Sequence, residues 1–515
     1  MKPQKTQTLT RLVIVLALII LVNFISIRLF GRLDLTSQNV YTLSDASKTI
    51  VGSLDDRITV KAYFTEDLPA PYNGNRRATL DILNDYKAYS NGNLQFDFID
   101  PEGEKGEQDA QEQGVAPLQV QVINNDKLEV KRGYMGLVML YEDRKEVLPV
   151  IQNLSSLEYD LSSAMKRLTA RKKKKIGYST GHQEVEPSGY RQAAQVISAQ
   201  YELVPVDLSG GAPVPPDIAA LLVVSPQSRF SDSSKFAVDQ FLMRGGKIAF
   251  LLNRYNANLQ ARFAQPMDLA LDDQLAHYGA RINNDLVRDA QCAPVTVMQQ
   301  QGMFRIQSQV PFPLLPNASN FSRDNVMVKD LQSVFFYFVS SIDTSVAAPR
   351  GLRAEVLIRS SKQSGRQTGF MTIDPFQKLT PADLAEKDIP FAAVIEGSFK
   401  TFFADRQPQS ALTVSPETRI LVIGDGDFMK DDFLGSRDNL NFFANIVDYL
   451  ADDAGLISIR SKNVAQPPLE QVSDGTRRFL KYANLILPPL VIVAYGLFRW
   501  RRRASLTKAL ELQSR

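Results

Sequence analysis

Residues 171–184 read RKKKKIGYSTGHQE: a basic run feeds a short apolar strand that ends in a polar, glycine-containing loop. That is how an α/β domain opens. Outward from it, the pattern predicts a helix over 190–200, strands over 201–206 and 219–225, a helix over 236–243 and a strand over 247–252. Residues 419–428, RILVIGDGDF, repeat the motif of a buried strand running into a polar turn, and a helix over 440–450 follows. Strands and helices alternating at this spacing predict a doubly wound parallel sheet whose working edge lies at the strand C-termini.

The rest of the chain sets the context. At 515 residues and 44% hydrophobic it is too long for one ordinary domain and can bury two or three cores. Its 59 basic and 56 acidic residues leave a net charge of +3, no field for nucleic acid. The single cysteine, Cys292, rules out a disulfide framework and any CxxC pair, and two histidines leave little for a metal site. No cofactor is expected.

Residues 12–30, LVIVLALIILVNFISIRLF, are long and apolar enough to span a bilayer, and no small-residue cleavage site follows them. A second candidate span, residues 482–500, reads YANLILPPLVIVAYGLFRW and closes on Arg499, Arg501, Arg502 and Arg503. Two uncleaved anchors place both termini on one side. The basic tail and the lysines before the first span place that side in the cytoplasm, with the large middle outside. The expected layout is a cytoplasmic N-terminus (1–11), a first transmembrane helix (12–30) and an outer domain (33–170). An outer α/β domain (171–470) with an insertion subdomain at about 256–417, a second transmembrane helix (482–500) and a basic cytoplasmic tail (501–515) complete it.

The first outer domain has a readable order. A helix over 44–53 capped by Ser44 precedes a strand over 58–64, a helix over 78–89 and a strand over 94–99. An acidic loop, a strand over 118–123 after Pro117, a hairpin of 135–141 with 146–151 and a helix over 157–168 follow. The whole resembles the thioredoxin-like fold, but the loop after its first strand, Thr65-Glu66-Asp67-Leu68-Pro69, holds no thiol, so a binding or scaffolding role is expected.

Catalysis finds little support. A P-loop would need glycine where Phe241 stands and Ser or Thr where Ile248 stands, so Gly245-Gly246-Lys247 reads as a turn before a strand. No G-x-S-x-G elbow occurs, and no catalytic residue is assigned. His182, Glu184, Ser225, Asp425 and Asp427 all follow predicted strands and are the candidate ligand-binding residues at the sheet edge, where carboxylates near an imidazole could hold a cation or polar ligand. The bland alternative makes Asp425 and Asp427 turn-formers that cap the next helix. In the spans, Asn23, Ser26, Asn484, Pro488 and Gly496 suit a seam with a partner helix.

The segments YTLSDASKTIV, VKAYFTEDLP, FDFIDPE, IGYSTGHQE, LAHYGARINNDLVRD, FAAVIEGSFK and RILVIGDGDF, in this order, resemble the GldG family, the auxiliary component of ABC transporters associated with gliding motility. The resemblance covers nearly the whole chain. It implies a non-catalytic, two-pass subunit of the bacterial inner membrane beside a separate permease and a separate cytoplasmic ATPase, and leaves room for a homodimer within that complex. It also implies a central domain related to a module of an intraflagellar-transport protein and similar in layout to class I glutamine amidotransferases. Two alternatives are a membrane-tethered scaffold or sensor for glycan or peptide, and a hydrolase relative.

Overall fold

The computed structural model describes residue 14 and residues 42–513, apart from 67, 125–126, 152, 171, 302–303, 370, 405–410 and 462–473. The chain forms two compact units, Met1–Ala465 and Gln466–Arg515. The expected first span, with Asn23 and Ser26, lies outside the described residues, as do Asp67 and Arg171.

In the first unit, helix α1 (Asp45–Gly52) starts at Ser44, whose side chain accepts the Ser47 N–H as a helix cap. Strand β1 (Ile58–Phe64) crosses over through α2 (Asn75–Tyr89) to the parallel strand β2 (Leu94–Ile99). The expected acidic loop is instead a helix, α3 (Gly103–Glu112). Strand β3 (Pro117–Asn124) pairs with the first half of β4 (Lys127–Tyr141). The second half of β4 lies antiparallel to both β1 and β5 (Arg144–Leu148), and α4 (Leu157–Thr169) follows. Ile58, Val60, Ala62 and Phe64 face one core with Leu83 and Tyr86 of α2 and Leu161 and Met165 of α4. Tyr63 points the other way, toward Ala110, Val115 and Tyr134.

That module is fastened by a buried polar knot. Glu158 of α4 accepts the Ser44 N–H and the Ser47 hydroxyl, each at 2.7 Å. The Tyr86 hydroxyl donates to the Glu158 carbonyl at 3.0 Å and lies 2.7 Å from Ser162 Oγ. Tyr86→Phe should therefore lower the unfolding free energy by about 1–3 kcal/mol, since it removes a buried hydroxyl that donates to the Glu158 carbonyl and contacts Ser162. Urea unfolding of the detergent-solubilised chain followed by circular dichroism measures this; an unchanged midpoint would show that the knot contributes nothing.

The central sheet is larger than the sequence pattern suggests. Its parallel core uses β6 (Lys175–Thr180), β7 (Glu202–Asp207), β8 (Ile218–Val224), β9 (Lys247–Leu251) and the late strand Val414–Ile423. Helices α5 (Arg191–Gln200) and α6 (Asp232–Met243) connect the early strands. A short helix α7 (Asp272–His277) comes next, and three further strands then join the same sheet antiparallel: β10 (Asn320–Phe321), β11 (Arg353–Arg359) and β12 (Pro390–Lys400). With the late strand as β13, the order is β10-β11-β12-β13-β9-β8-β6-β7. Part of the stretch expected as an insertion thus widens the sheet. The remainder includes a long hairpin, Cys292–Gln301 with Phe304–Ala318, whose second arm contains residues 311–316, PFPLLP, a stretch that reads as a loop or packing wedge.

Alternation along the strands divides two cores between the faces. Leu222, Val224, Leu251, Leu421 and Ile423 pack with α5 and with α8 (Arg437–Leu450). Leu221, Val223, Phe250, Ile420 and Val422 pack with α6 and α7. Strands buried on both faces and covered by helices are what a parallel sheet requires. The last helix of this unit is α9 (Ala454–Ser461).

The described residues of the second unit form one helix, α10 (Asp474–Gln513), which runs on through Pro488 and Pro489. Its segment Gly475–Arg501 is long and apolar enough to cross a membrane, and large side chains such as Phe479, Leu485, Ile492 and Trp500 are exposed along it. The expected second span lies within it.

Candidate functional site

Three strand ends build the site. Strand β8 stops at Val224, and Ser225 takes a left-handed backbone with φ of 47° although it is not glycine. Such a conformation is costly and persists only where its surroundings fix it. Here the Ser225 N–H donates to the Leu251 carbonyl at 2.8 Å, its hydroxyl donates to Asp427 Oδ1 at 2.8 Å, and it accepts from Asn253 Nδ2 at 2.9 Å.

Strand β13 delivers the carboxylates through Gly424-Asp425-Gly426-Asp427. Both glycines are demanded by close approach: a Cβ at 424 would stand 2.0 Å from the Ser340 carbonyl oxygen, and one at 426 would stand 2.6 Å from that of Leu251. Asp425 is fully buried and accepts the N–H of Tyr337 at 2.7 Å and of Asp427 at 2.6 Å. Burial, reinforced by the neighbouring Asp427 charge, pushes its carboxyl up to about 8. Asp427 is half-buried and pairs with Lys430 Nζ at 2.6 Å. With Asp425 protonated and Asp427 matched by Lys430, this cluster carries no spare charge to attract a cation. Neither aspartate caps the next helix; that place belongs to Ser436.

His182 and Glu184 follow β6 at the same edge but form a second cluster. The His182 ring stacks on Phe230 at 3.7 Å, its Nε2 lies 3.2 Å from Ser234 Oγ, and the His182 backbone N–H donates to Glu184 Oε2 at 2.6 Å. Nδ1 approaches Glu184 Oε1 at 3.5 Å, too far for a hydrogen bond, and both atoms are buried without a hydrogen-bond partner. Burial pushes the Glu184 carboxyl up, yet the adjacent His182 ring and the backbone N–H groups of His182 and Glu184 outweigh it and hold the group below its ordinary value. The two clusters are linked through the turn after Ser225: the His182 carbonyl accepts from the N–H groups of Gln227 and Ser228, and Gln227 Nε2 donates to the Ser225 carbonyl.

Sequence reasoning missed Asn253 and Lys430. Asn253 accepts the Gly426 N–H at 2.7 Å while donating to Ser225, which ties β8, β9 and β13 together. A lone polar residue directly after the apolar run of β9 is the signal that singled out Ser225, so Asn253 was within reach. Lys430 carried no such signal. Of the seam residues, Asn484 and Gly496 lie exposed on α10, an added Cβ at Gly496 meets no neighbouring atom, and Pro488 lies within the same helix.

The family model described as an ABC-type uncharacterized transport system matches residues 173–452, more than half of the chain and all of the central sheet. The chain belongs to that family. Its members are auxiliary components of ABC transport systems, which fits a protein that is not an enzyme. A second model, a domain of unknown function, matches residues 37–140 of this family member. An uncharacterized protein of Borreliella burgdorferi is 23% identical over 494 residues, spanning 93% of this chain and 94% of its own. Among solved structures, the mmIFT52 N-terminal domain is 13% identical with a TM-score of 0.34, covering 54% of this chain and 97% of that one. The exo-beta-1,4-mannosidase Op5Man5 from Opitutaceae bacterium strain TAV5 is 9% identical with a TM-score of 0.23, covering 62% and 40%.

Proposed function

We propose that this chain is the non-catalytic, membrane-anchored extracytoplasmic subunit of a GldG-like ABC transporter, scaffolding beside a separate permease and a separate ATPase. The observation that carries the reading is the family match over the whole central sheet. The apolar segment of α10 and the apolar residues 12–30 would supply two anchors, and the arginines at the end of that segment support cytoplasmic termini. A thioredoxin-like reading of the first module is supported by parallel β1 and β2 with an antiparallel β4–β5 pair beside them. The edge formed by Ser225, Asp425, Asp427, His182 and Glu184 serves as a rigid platform. Its partly accessible pair, Asp427 and Lys430, is where a polar ligand would touch, with Asp425 and Asn253 fixing the loops beneath.

Coupling to the permease runs through the spans. Helix association in lipid depends on close packing and a few polar groups, which Asn23, Ser26, Asn484, Pro488 and Gly496 offer. Asn23→Leu combined with Gly496→Leu should reduce permease recovery on mild detergent co-purification by on the order of 3- to 30-fold, while circular dichroism of the outer domains stays unchanged. Wild-type recovery from this variant, with release on deleting residues 44–168, would place the coupling outside the bilayer. Failure of the wild-type chain to bring down any permease would end the accessory-subunit reading itself.

A further inference from the structure

A cavity of about 440 Å³ lies between the first module and the central sheet. One wall is the start of α4, with Asn153, Tyr159 and Asp160; the other is the start of α8, with Arg437 and Asn441. Val196 of α5, 38% exposed, stands at its rim. That volume is within the range of small-molecule sites. We propose that this cleft binds a neutral saccharide of one or two rings, gripped by both modules at once.

Each charged side chain on the walls is matched by a neighbouring charge, hydrogen bond or helix end. Arg437 faces Asp160, and burial pushes the Asp160 carboxyl up while Ser156, Arg437 and Arg167 draw it back. Arg460, also lining the cleft, is spent on Asp448 at 2.8 Å. Asp438 lies in the first turn of α8, where the positive end of the helix offsets its charge, and it accepts the N–H groups of Gln332 and Ser333 at 2.8 and 3.3 Å. Nothing is left over to favour an anion or a cation.

The hydrogen-bonding capacity that does remain is of the kind that reads hydroxyl groups. Asn153 uses its Oδ1 on Ser155 and keeps its Nδ2 donors. Asn441 uses its Nδ2 on Asp438 and keeps its carbonyl oxygen. Tyr159 accepts from Arg460 at 2.8 Å and keeps its own proton to donate. Amide donors, amide acceptors, a carboxyl and a phenol arrayed around one space pair with vicinal hydroxyls, each of which both gives and takes. A peptide would want apolar pockets for its side chains, and Val196 and Leu440 are the main aliphatic side chains on these walls.

Full-length protein in an amine-oxide detergent, chosen to keep sugar-headed detergents out of the cleft, is titrated with maltose, cellobiose and chitobiose by isothermal calorimetry. At least one should bind saturably. Asp160→Asn and Asn441→Ala should each weaken it about tenfold, and Val196→Trp, an exposed position that fills the cleft without touching a core, should abolish it with the far-ultraviolet spectrum intact. No saturable binding of any of the three overturns the proposal. So does binding that survives Val196→Trp, and so does tighter binding of glucose 6-phosphate or glucosamine than of the neutral sugars.

Discussion

Arg460→Ala is expected to lower the unfolding free energy by about 3–5 kcal/mol, the cost of leaving a buried charge without its partner. Arg460 on α9 donates to Asp448 Oδ2 at 2.8 Å and to the Tyr159 hydroxyl at 2.8 Å, also donates to Asn445 Oδ1, and sits 4.9 Å from the centre of the Tyr159 ring. Asp448 is buried in α8; burial pushes its carboxyl up, and Arg460 and the Tyr201 hydroxyl at 2.7 Å pull it back. Removing the guanidinium strands that carboxyl and also frees α9 from α4. Arg460→Met paired with Asp448→Leu should recover most of the loss, because an apolar pair of similar volume removes both desolvation costs. Guanidinium unfolding of the detergent-solubilised chain followed by circular dichroism decides the matter: an Arg460→Ala midpoint equal to wild type would mean that water already reaches Asp448.

The second large effect is a pH dependence. In the unfolded chain an aspartate loses its proton near pH 4, whereas folded Asp425 keeps it up to about 8. Between those values the folded state binds one more proton than the unfolded state, so stability falls as pH rises, by up to about 1.4 kcal/mol per unit. Over the window this amounts to on the order of 5 kcal/mol, fully present below pH 4 and lost as pH climbs through 8. Asp425→Asn cannot titrate. Whatever constant penalty its amide incurs against the Tyr337 N–H, the slope of stability against pH from 5 to 8 should be less negative than in wild type by about one proton's worth. Parallel slopes for the two proteins would show that Asp425 is ionised in the folded state.

The sheet edge was legible because its strands are unambiguous: IAALLVV, KIAFL and RILVI are apolar runs that stop abruptly at polar residues. What separates Asp425 from Asp427 was not. Buried Asp425 accepts the N–H of Tyr337, 88 residues away in sequence, while Asp427 is partly exposed and meets Lys430. Helix α3 was hidden because GEKGEQDAQE carries two glycines and almost no apolar face, burying Ala110 alone. The prolines of PFPLLP argue against a strand on hydrogen-bonding grounds, yet the hairpin accepts them at a shift of register between its Pro294–Pro311 and Cys292–Pro316 pairs. The widening by β10–β12 escaped for a different cause: their partners are one another and β13, so no local pattern announces which sheet they join.

The pairing of β9 with β13 also sets a clock on biogenesis. Ile248 lies beside Ile420, about 170 residues later in the chain. At roughly 5–20 residues per second of synthesis, KIAFL waits about 10–30 s before the strand that covers its flank exists. Throughout that interval an apolar strand with unpaired N–H and C=O groups is open to any other nascent chain. The late arrival of RILVI makes the period of synthesis, more than the life of the finished molecule, the time when the flank of β9 is open to wrong partners.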